Sequence, residues 1–492
     1  MLRPFFVAAL SLLTACQAST TLEEAPENKA FAADSAAHSL PIKGATGLGD
    51  AYFPGLGNGG YDALHYRIVL DVDPVENTLR GSTTIDARAE SYLARFNLDL
   101  LGLEVASVQV DGEFAGYERE GQELVITPRS PLQAGREFQV KVIYSGSPEV
   151  VPVPGLPIDG IGWMHEGELV ITMSEPTGAM SWYPCNNHQR DKATHEFEIT
   201  APTEFTVAAN GILKSIQTLE GKRRFHFVAS DPMATYLATV NVGRFEVEEQ
   251  DGPNGLPLTY YFPPEIEEEV RAGFRRTPEM ITKLAEWFGP YPFECYGGVV
   301  AGAGPPAALE TQTLPVYGGS TPGIGVQIHE LTHQWFGNSV SFDSWRDLWL
   351  AEAFASYAEW LWDAETDGED AITERVERYY GFLSGAEHEL MGDPGPDHLF
   401  GLGVYVRGPV ALHALRLELG DEHFFETLST WTSRFRNRTA SAEDFIALAE
   451  ELSGDELSAF FEAWLYQPRL PDIPALGLSV ANEEQAAAAS EG

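Results

Sequence analysis

Two histidines four residues apart, in the run His329-Glu330-Leu331-Thr332-His333, are the first residues of this sequence whose types and spacing suggest chemistry. On a helix, positions four apart share a face, so both rings can reach one ion at about 2.0–2.1 Å from a ring nitrogen. Glu330 lies one step round that helix. It is placed to take a proton from water that a zinc ion has acidified towards a pKa of about 7. A catalytic zinc takes three protein ligands and keeps a further position open. Eighteen residues separate His333 from Glu352, which sits in Trp349-Leu350-Ala351-Glu352-Ala353-Phe354-Ala355. This too has helical spacing, with Leu350, Phe354, Tyr357 and Leu361 on its apolar face. A carboxylate among apolar neighbours needs a partner to be buried, and a metal is one. The expectation is one Zn2+ per chain, held by His329, His333 and Glu352.

These residues need elements to hold them. At 492 residues the chain is too long for one ordinary core, and 44% apolar residues are enough for packed domains. Short alternating runs separated by turn residues recur from Tyr66–Val72 through Ser82–Ala87, Phe138–Tyr144, Glu168–Thr172, His195–Thr200, Arg224–Val228 and Tyr236–Val242. They predict an N-terminal antiparallel β-sheet domain over 58–250. Helical spacing then takes over, in 265–288, 326–338, 346–364, 408–419, 421–436, 441–452 and 455–466. Ser441 to Asp444 reads as a helix start, with Asp in place of the usual Glu or Gln of a capping box. This second, mostly helical domain covers 251–472. Cys185 and Cys295 fall in different domains and are expected as buried free thiols.

The pattern His-Glu-x-x-His, eighteen residues, Glu resembles the gluzincin aminopeptidases, the aminopeptidase N family. His329 to Asn338 is similar to the family's zinc helix and Trp345 to Ala355 to its second zinc segment. With the β domain, the resemblance covers roughly 58–472. It implies a thermolysin-like (gluzincin) catalytic domain acting on peptide substrates with a free N-terminus, with Glu330 as general base. Ala307-Ala308-Leu309-Glu310-Thr311 stands where the family has Gly-x-Met-Glu-Asn. The resemblance makes Glu310 the carboxylate that binds the substrate's α-amine, although Gly, Met and Asn are all replaced. Thr172 to Glu175 resembles the segment carrying a second amine anchor, which implies that role for Glu175. Trp182 to Cys185 and Asp191 to Thr194 match the stretch beyond it. Tyr405-Val406-Arg407-Gly408 resembles Tyr-x-Lys-Gly and implies that Tyr405 stabilises the oxyanion. Tyr379 and Tyr380 are weaker candidates. Many family members carry a helical domain after the catalytic one. This sequence ends soon after Trp464 to Pro468, so a more open cleft that admits longer peptides is expected. The alternatives are a zinc endopeptidase of the same fold, another hydrolase such as the family's epoxide-opening member, and a catalytically silent envelope binding protein.

The ends and the charge bound the setting. Met1-Leu2-Arg3, the apolar run Phe5–Leu13 and Leu13-Thr14-Ala15-Cys16 read as an export signal with a lipobox over 1–16. Lipidation of Cys16 would make a cell-envelope lipoprotein; ordinary cleavage after Ala18 would release a periplasmic or secreted one. Residues 17–57 read as a flexible tether and 473–492 as a disordered acidic tail. Against 31 Lys and Arg stand 73 Asp and Glu, a net charge of −42, which argues against nucleic acid or anionic lipid as a partner. The membrane is then reached only through the lipid at Cys16, and a monomer is the default.

Overall fold

Residues 40–153, 158–319, 321–368 and 370–480 are described by the computed structural model. The export signal and lipobox at 1–16 lie outside them.

The first half is β-structure. Its main sheet has eight strands, with Ala193–Pro202, Tyr61–Asp73 and Thr78–Ala89 at its centre. Tyr61–Asp73 pairs antiparallel with Thr78–Ala89 and parallel with Ala193–Pro202. Alternation sets its faces: Tyr66, Ile68, Leu70 and Val72 are buried, while Arg67 and Asp71 reach solvent. A four-stranded sheet of Gly162–Glu166, Leu169–Met173, Val240–Gly243 and Thr206–Ala209 packs Ile171, Met173 and Ala208 in one cluster with Tyr261, Val299 and Val316 of the second half. Leu169–Met173 ends two residues before Glu175.

The second half opens with a five-stranded sheet whose edge strand, Ala308–Leu309, runs into Glu310. The strand Glu246–Asp251 belongs to that sheet, pairing with Pro257–Phe262, so the junction falls between Gly243 and Glu246. Helices follow. The expected helix 265–288 is two, Glu268–Phe274 and Thr277–Phe288. The expected pair 408–419 and 421–436 is found: Arg407–Arg434 is two helices that meet at Gly420, whose φ of 74° breaks the helix. Ser441 and Asp444 do form a reciprocal capping box. The helix Trp349–Asp367 is buried on nearly all sides from Trp349 to Ala358, the pattern of a central helix. Cys185 and Cys295 are free and buried.

Residues 41–57, read from composition as tether, pack on the body. Ile42–Lys43 pairs with Leu93–Asp99. The Asp50 carboxylate accepts from the backbone N–H groups of Tyr52 (2.9 Å), Phe53 (3.0 Å) and Trp345 (2.9 Å) and from Ser344 Oγ (3.1 Å). One buried side chain thus anchors a glycine-rich segment that lacks periodicity. At the other end Ile473 and Leu478 bridge across the turn Pro474–Leu476, and 481–492 lie outside the described residues. Among the described residues no helix is long and apolar enough to cross a membrane.

Candidate active site

The zinc-type motif sits on the short helix Ile324–Thr332, with His333 closing it as the C-cap; His333 N–H still donates to His329 O at 3.2 Å. The last turn therefore keeps both rings on one face. Trp349–Asp367 crosses beside it, locked by Phe336 and Phe354, whose rings stack at 4.5 Å and 2°. This brings Glu352 to the two histidines. Its Oε2 lies 3.1 Å from His329 Nε2 and 3.4 Å from His333 Nε2. Ligands at about 2.0–2.1 Å around a tetrahedral ion are separated by about 3.3 Å, so the spacing fits zinc. Among the described residues this is the group of three whose donor atoms suit one metal ion.

The electrostatics agree. Glu175, Glu310, Glu330 and Glu352 are all buried in one cavity of about 270 Å³. Burial pushes the Glu330 carboxyl up to about 8, against the pull of His329 and His333. Burial and the neighbouring Glu310 push Glu175 well above the carboxylate range, and burial raises Glu310 as well. Burial would raise Glu352 too, but His333 and His329 hold it well below that range. Four enclosed carboxyls beside two histidines make a site short of positive charge. A divalent cation and a substrate ammonium are the groups that would correct it. Glu175 Oε1 is buried without a hydrogen-bond partner, an acceptor suited to such an ammonium.

Tyr405 closes the helix Leu402–Tyr405, and its ring lies parallel to that of His329 at 6.1 Å. Burial, with Glu352 nearby, pushes its phenol well above 10, so it stays a hydrogen-bond donor. The cavity thus brings together His329, Glu330, His333, Glu352, Glu310, Glu175 and Tyr405. Arg407, two residues on, points elsewhere: Nη2 donates to the carbonyls of Ala463 (3.1 Å) and Gln467 (2.6 Å) at the end of another helix. Tyr380 donates to Pro471 O and Tyr379 stacks on Trp360; neither lines the cavity.

Sequence reasoning missed three supporting groups. Glu359 accepts from His329 Nδ1 at 2.8 Å, which fixes the tautomer and leaves Nε2 free for a metal. Its signal was available, because it lies seven residues past Glu352 on the same helix face. Gln334 and Asn338, on the turn after His333, both donate to the Glu310 carbonyl, at 3.2 and 2.7 Å. Nothing in their spacing announces that partner.

Comparison with known proteins agrees with this arrangement. The Peptidase M1 N-terminal domain model matches residues 62–237 and the Peptidase family M1 domain model matches 323–464. Human glutamyl aminopeptidase is 27% identical, over 70% of this chain and 42% of its own length. Rice aminopeptidase M1-A is 24% identical, over 83% and 50%. The chain thus spans about half the length of the curated relatives it matches. The crystal structure of an M1 zinc metallopeptidase from Deinococcus radiodurans is 33% identical, covers 87% of this chain and 98% of its own, and superposes with a TM-score of 0.82. A glutamate-to-alanine mutant of that protein was solved with a Tyr-Ser-Ala substrate, again at 33% identity with TM-score 0.82, covering 87% and 99% of the two chains. A two-domain build with a β-rich first half, a buried His-His-Glu group and these matches place the chain in the M1 family of zinc peptidases.

Proposed function

We propose that this chain is a zinc aminopeptidase that removes N-terminal residues from peptides. The observation that carries the reading is the pairing of a zinc-type triad with two further buried carboxylates, Glu310 and Glu175, in the same cavity. When bound, zinc supplies Lewis acidity, which polarises a carbonyl and acidifies water. Glu310 and Glu175 take the substrate's α-ammonium between them and so bring the first peptide bond to the triad. Glu330 accepts the proton of the attacking water as its oxygen bonds to the scissile carbon. The Tyr405 hydroxyl donates to the carbonyl oxygen as it gains charge. Glu330 then passes the proton to the amine nitrogen as the C–N bond breaks. An endopeptidase would have no use for two buried carboxylates at an ammonium position.

The rest of the cavity lining is largely apolar, with Ile161, Met164, Met173, Leu309 and Phe400, and among the described residues no Lys or Arg lines it. N-terminal residues with apolar side chains should therefore outrank Asp and Glu. Support also comes from the solved relatives: the Deinococcus mutant was solved with Tyr-Ser-Ala, and a two-domain M1 zinc metallopeptidase mutant with L-tryptophan and with L-arginine. The test is a panel of aminoacyl-coumarins and their N-acetylated twins, with and without a zinc chelator. Chelator-sensitive cleavage confined to the free-amine set is expected. Equal cleavage of the acetylated set would remove the anchoring role of Glu310 and Glu175, and no cleavage with zinc bound would remove the enzyme reading. We also propose export and lipid anchoring at Cys16, on the lipobox sequence alone. Fatty-acid labelling tests it, and equal labelling of Cys16→Ser would overturn it.

A further inference from the structure

Tyr236 belongs to none of the motifs that define the site, yet the fold mounts it against the residue that reads the substrate's N-terminus. It lies in the short turn Thr235–Leu237, in the first, β-rich half of the chain. That turn is fixed on both sides. On one side Tyr183 Oη donates to Thr235 O at 3.1 Å, and Thr235 Oγ1 donates to Asn187 Oδ1 at 3.0 Å. On the other, it is tied to the loop that follows Glu310. Gln312 N–H donates to Leu237 O at 3.2 Å, and Asn210 Nδ2 bridges the carbonyls of Leu237 (2.9 Å) and Gln312 (2.7 Å). The Tyr236 ring packs on Trp345 with centroids 5.4 Å apart and is 1% exposed. Its position is therefore set by contacts that the hydroxyl does not make.

The hydroxyl itself is buried and has no regular hydrogen-bond partner. A buried phenol without a partner is costly, and such groups in native proteins usually face something that completes them. The charged groups it faces are carboxylates, Glu310 foremost and then Glu175 and Glu352; Glu310 is also the group within reach of its hydrogen bond. A phenol held at such a place keeps its proton and has it to donate, because burial and those carboxylates oppose its ionisation, and carboxylates can only accept. A carboxylate that must meet an ammonium in a fixed direction gains from a second donor. That donor holds one lone-pair direction and leaves the others for substrate.

We propose that Tyr236 is a positioning residue: its hydroxyl donates to the Glu310 carboxylate and holds that carboxylate against the α-ammonium of the substrate. The inference rests on the reading of Glu310 as an amine anchor. It makes the first half of the chain a contributor to N-terminal recognition twice over, directly through Glu175 and indirectly through Tyr236.

The test is Tyr236→Phe, which keeps the ring on Trp345 and removes only the oxygen. A hydrogen bond to a charged group is worth about 1.5–3 kcal/mol, or roughly tenfold to a hundredfold. KM for an aminoacyl-coumarin is expected to rise at least about tenfold, with kcat, zinc content and melting temperature close to the parent. Binding of L-leucine to the zinc-loaded protein, followed by calorimetry, should weaken by the same factor. Binding of isocaproate, the same molecule without its amine, should not change. Equal weakening for both ligands, or an unchanged KM, would overturn the proposal. Glu310→Gln separates this outcome from failure of the underlying reading. If that variant also leaves KM unchanged, Glu310 is no anchor; if it raises KM and Tyr236→Phe does not, the anchor stands and Tyr236 has no part in it.

Discussion

Removing the acceptor behind His329 should weaken zinc binding without touching a ligand. Each histidine of the triad presents Nε2 to the ion position and directs Nδ1 away from it, but the two Nδ1 partners differ. His333 Nδ1 meets the carbonyl of Phe336 at 3.1 Å, whereas His329 Nδ1 meets the Glu359 carboxylate at 2.8 Å. A carboxylate fixes the ring and raises its basicity more than a neutral carbonyl does, and charge-assisted bonds are roughly twice as strong as neutral ones. Glu359→Gln converts the His329 arrangement into the kind His333 already has. The expected loss is the lower end of the range for such outer partners, about tenfold in zinc affinity, or about 1.4 kcal/mol. Glu359→Ala removes the acceptor altogether and should approach a hundredfold. Glu359 is about a third exposed, so water replaces part of what is lost and larger effects are not expected. The assay is zinc competition against a chelator of known affinity, with kcat/KM measured separately at saturating zinc. Activity should largely return once zinc is saturating. Parent-like zinc affinity in Glu359→Ala would refute the reasoning, and so would full affinity with lost activity, which would move Glu359 from holding the metal to the chemistry.

Two further outcomes follow from the geometry. Tyr405→Phe keeps the ring stacked on His329 and removes the oxyanion donor, so kcat should fall about a hundredfold to a thousandfold with little change in KM; a KM-only effect would make Tyr405 a substrate-binding group instead. Lys192 donates from the β-rich half to Asn338 O (2.7 Å) and Ser339 O (2.9 Å), and burial pulls its amine from 10.5 down to about 7. The folded chain therefore binds fewer protons here than the unfolded chain between pH 7 and 10.5, and this group makes stability rise with pH across that window. Lys192→Met should lower the urea midpoint, at about 1–3 kcal/mol for each carbonyl left without a donor. Its deficit against the parent should widen from pH 7 to 10; a constant deficit would contradict the lowered amine.

What could be read from the sequence was what has short-range periodicity. The helical spacing of 326–338 and 346–364 placed His329, His333 and Glu352, the group that could hold a metal ion, because residues four apart must share a face whatever surrounds them. The alternating strands were equally local. What escaped depended on partners far along the chain. Asp50 draws the segment 41–57 onto Ser344 and Trp345 across nearly three hundred residues, so composition alone read that segment as linker. Glu246–Asp251 joined the second half because of its partner strand, not its own pattern. Arg407 stands where the resemblance has Lys, but the helix start that places Tyr405 at the cavity turns the residue two positions on towards the carbonyls of Ala463 and Gln467.

At 307–311 the proposed anchor Glu310 keeps its place in the cavity although the motif around it has changed. The family residues that flank this glutamate are replaced here, which puts the family's backbone contacts to substrate in question. The structure holds the backbone from another direction. Gln334 Nε2 and Asn338 Nδ2 both donate to the Glu310 carbonyl, and Gln334 Oε1 accepts from Thr313 N–H at 2.8 Å. Gln334 is the next residue after His333, and Asn338 lies five beyond that ligand. The segment that carries two of the proposed metal ligands therefore also ties down the backbone of Glu310. In the proposed function the spacing from Glu310 to the metal site then depends on this segment, and in an exopeptidase that spacing must match one residue of substrate. Flanking side chains can drift as long as this tie holds, because hydrogen bonds to a backbone carbonyl do not depend on which side chains stand beside it.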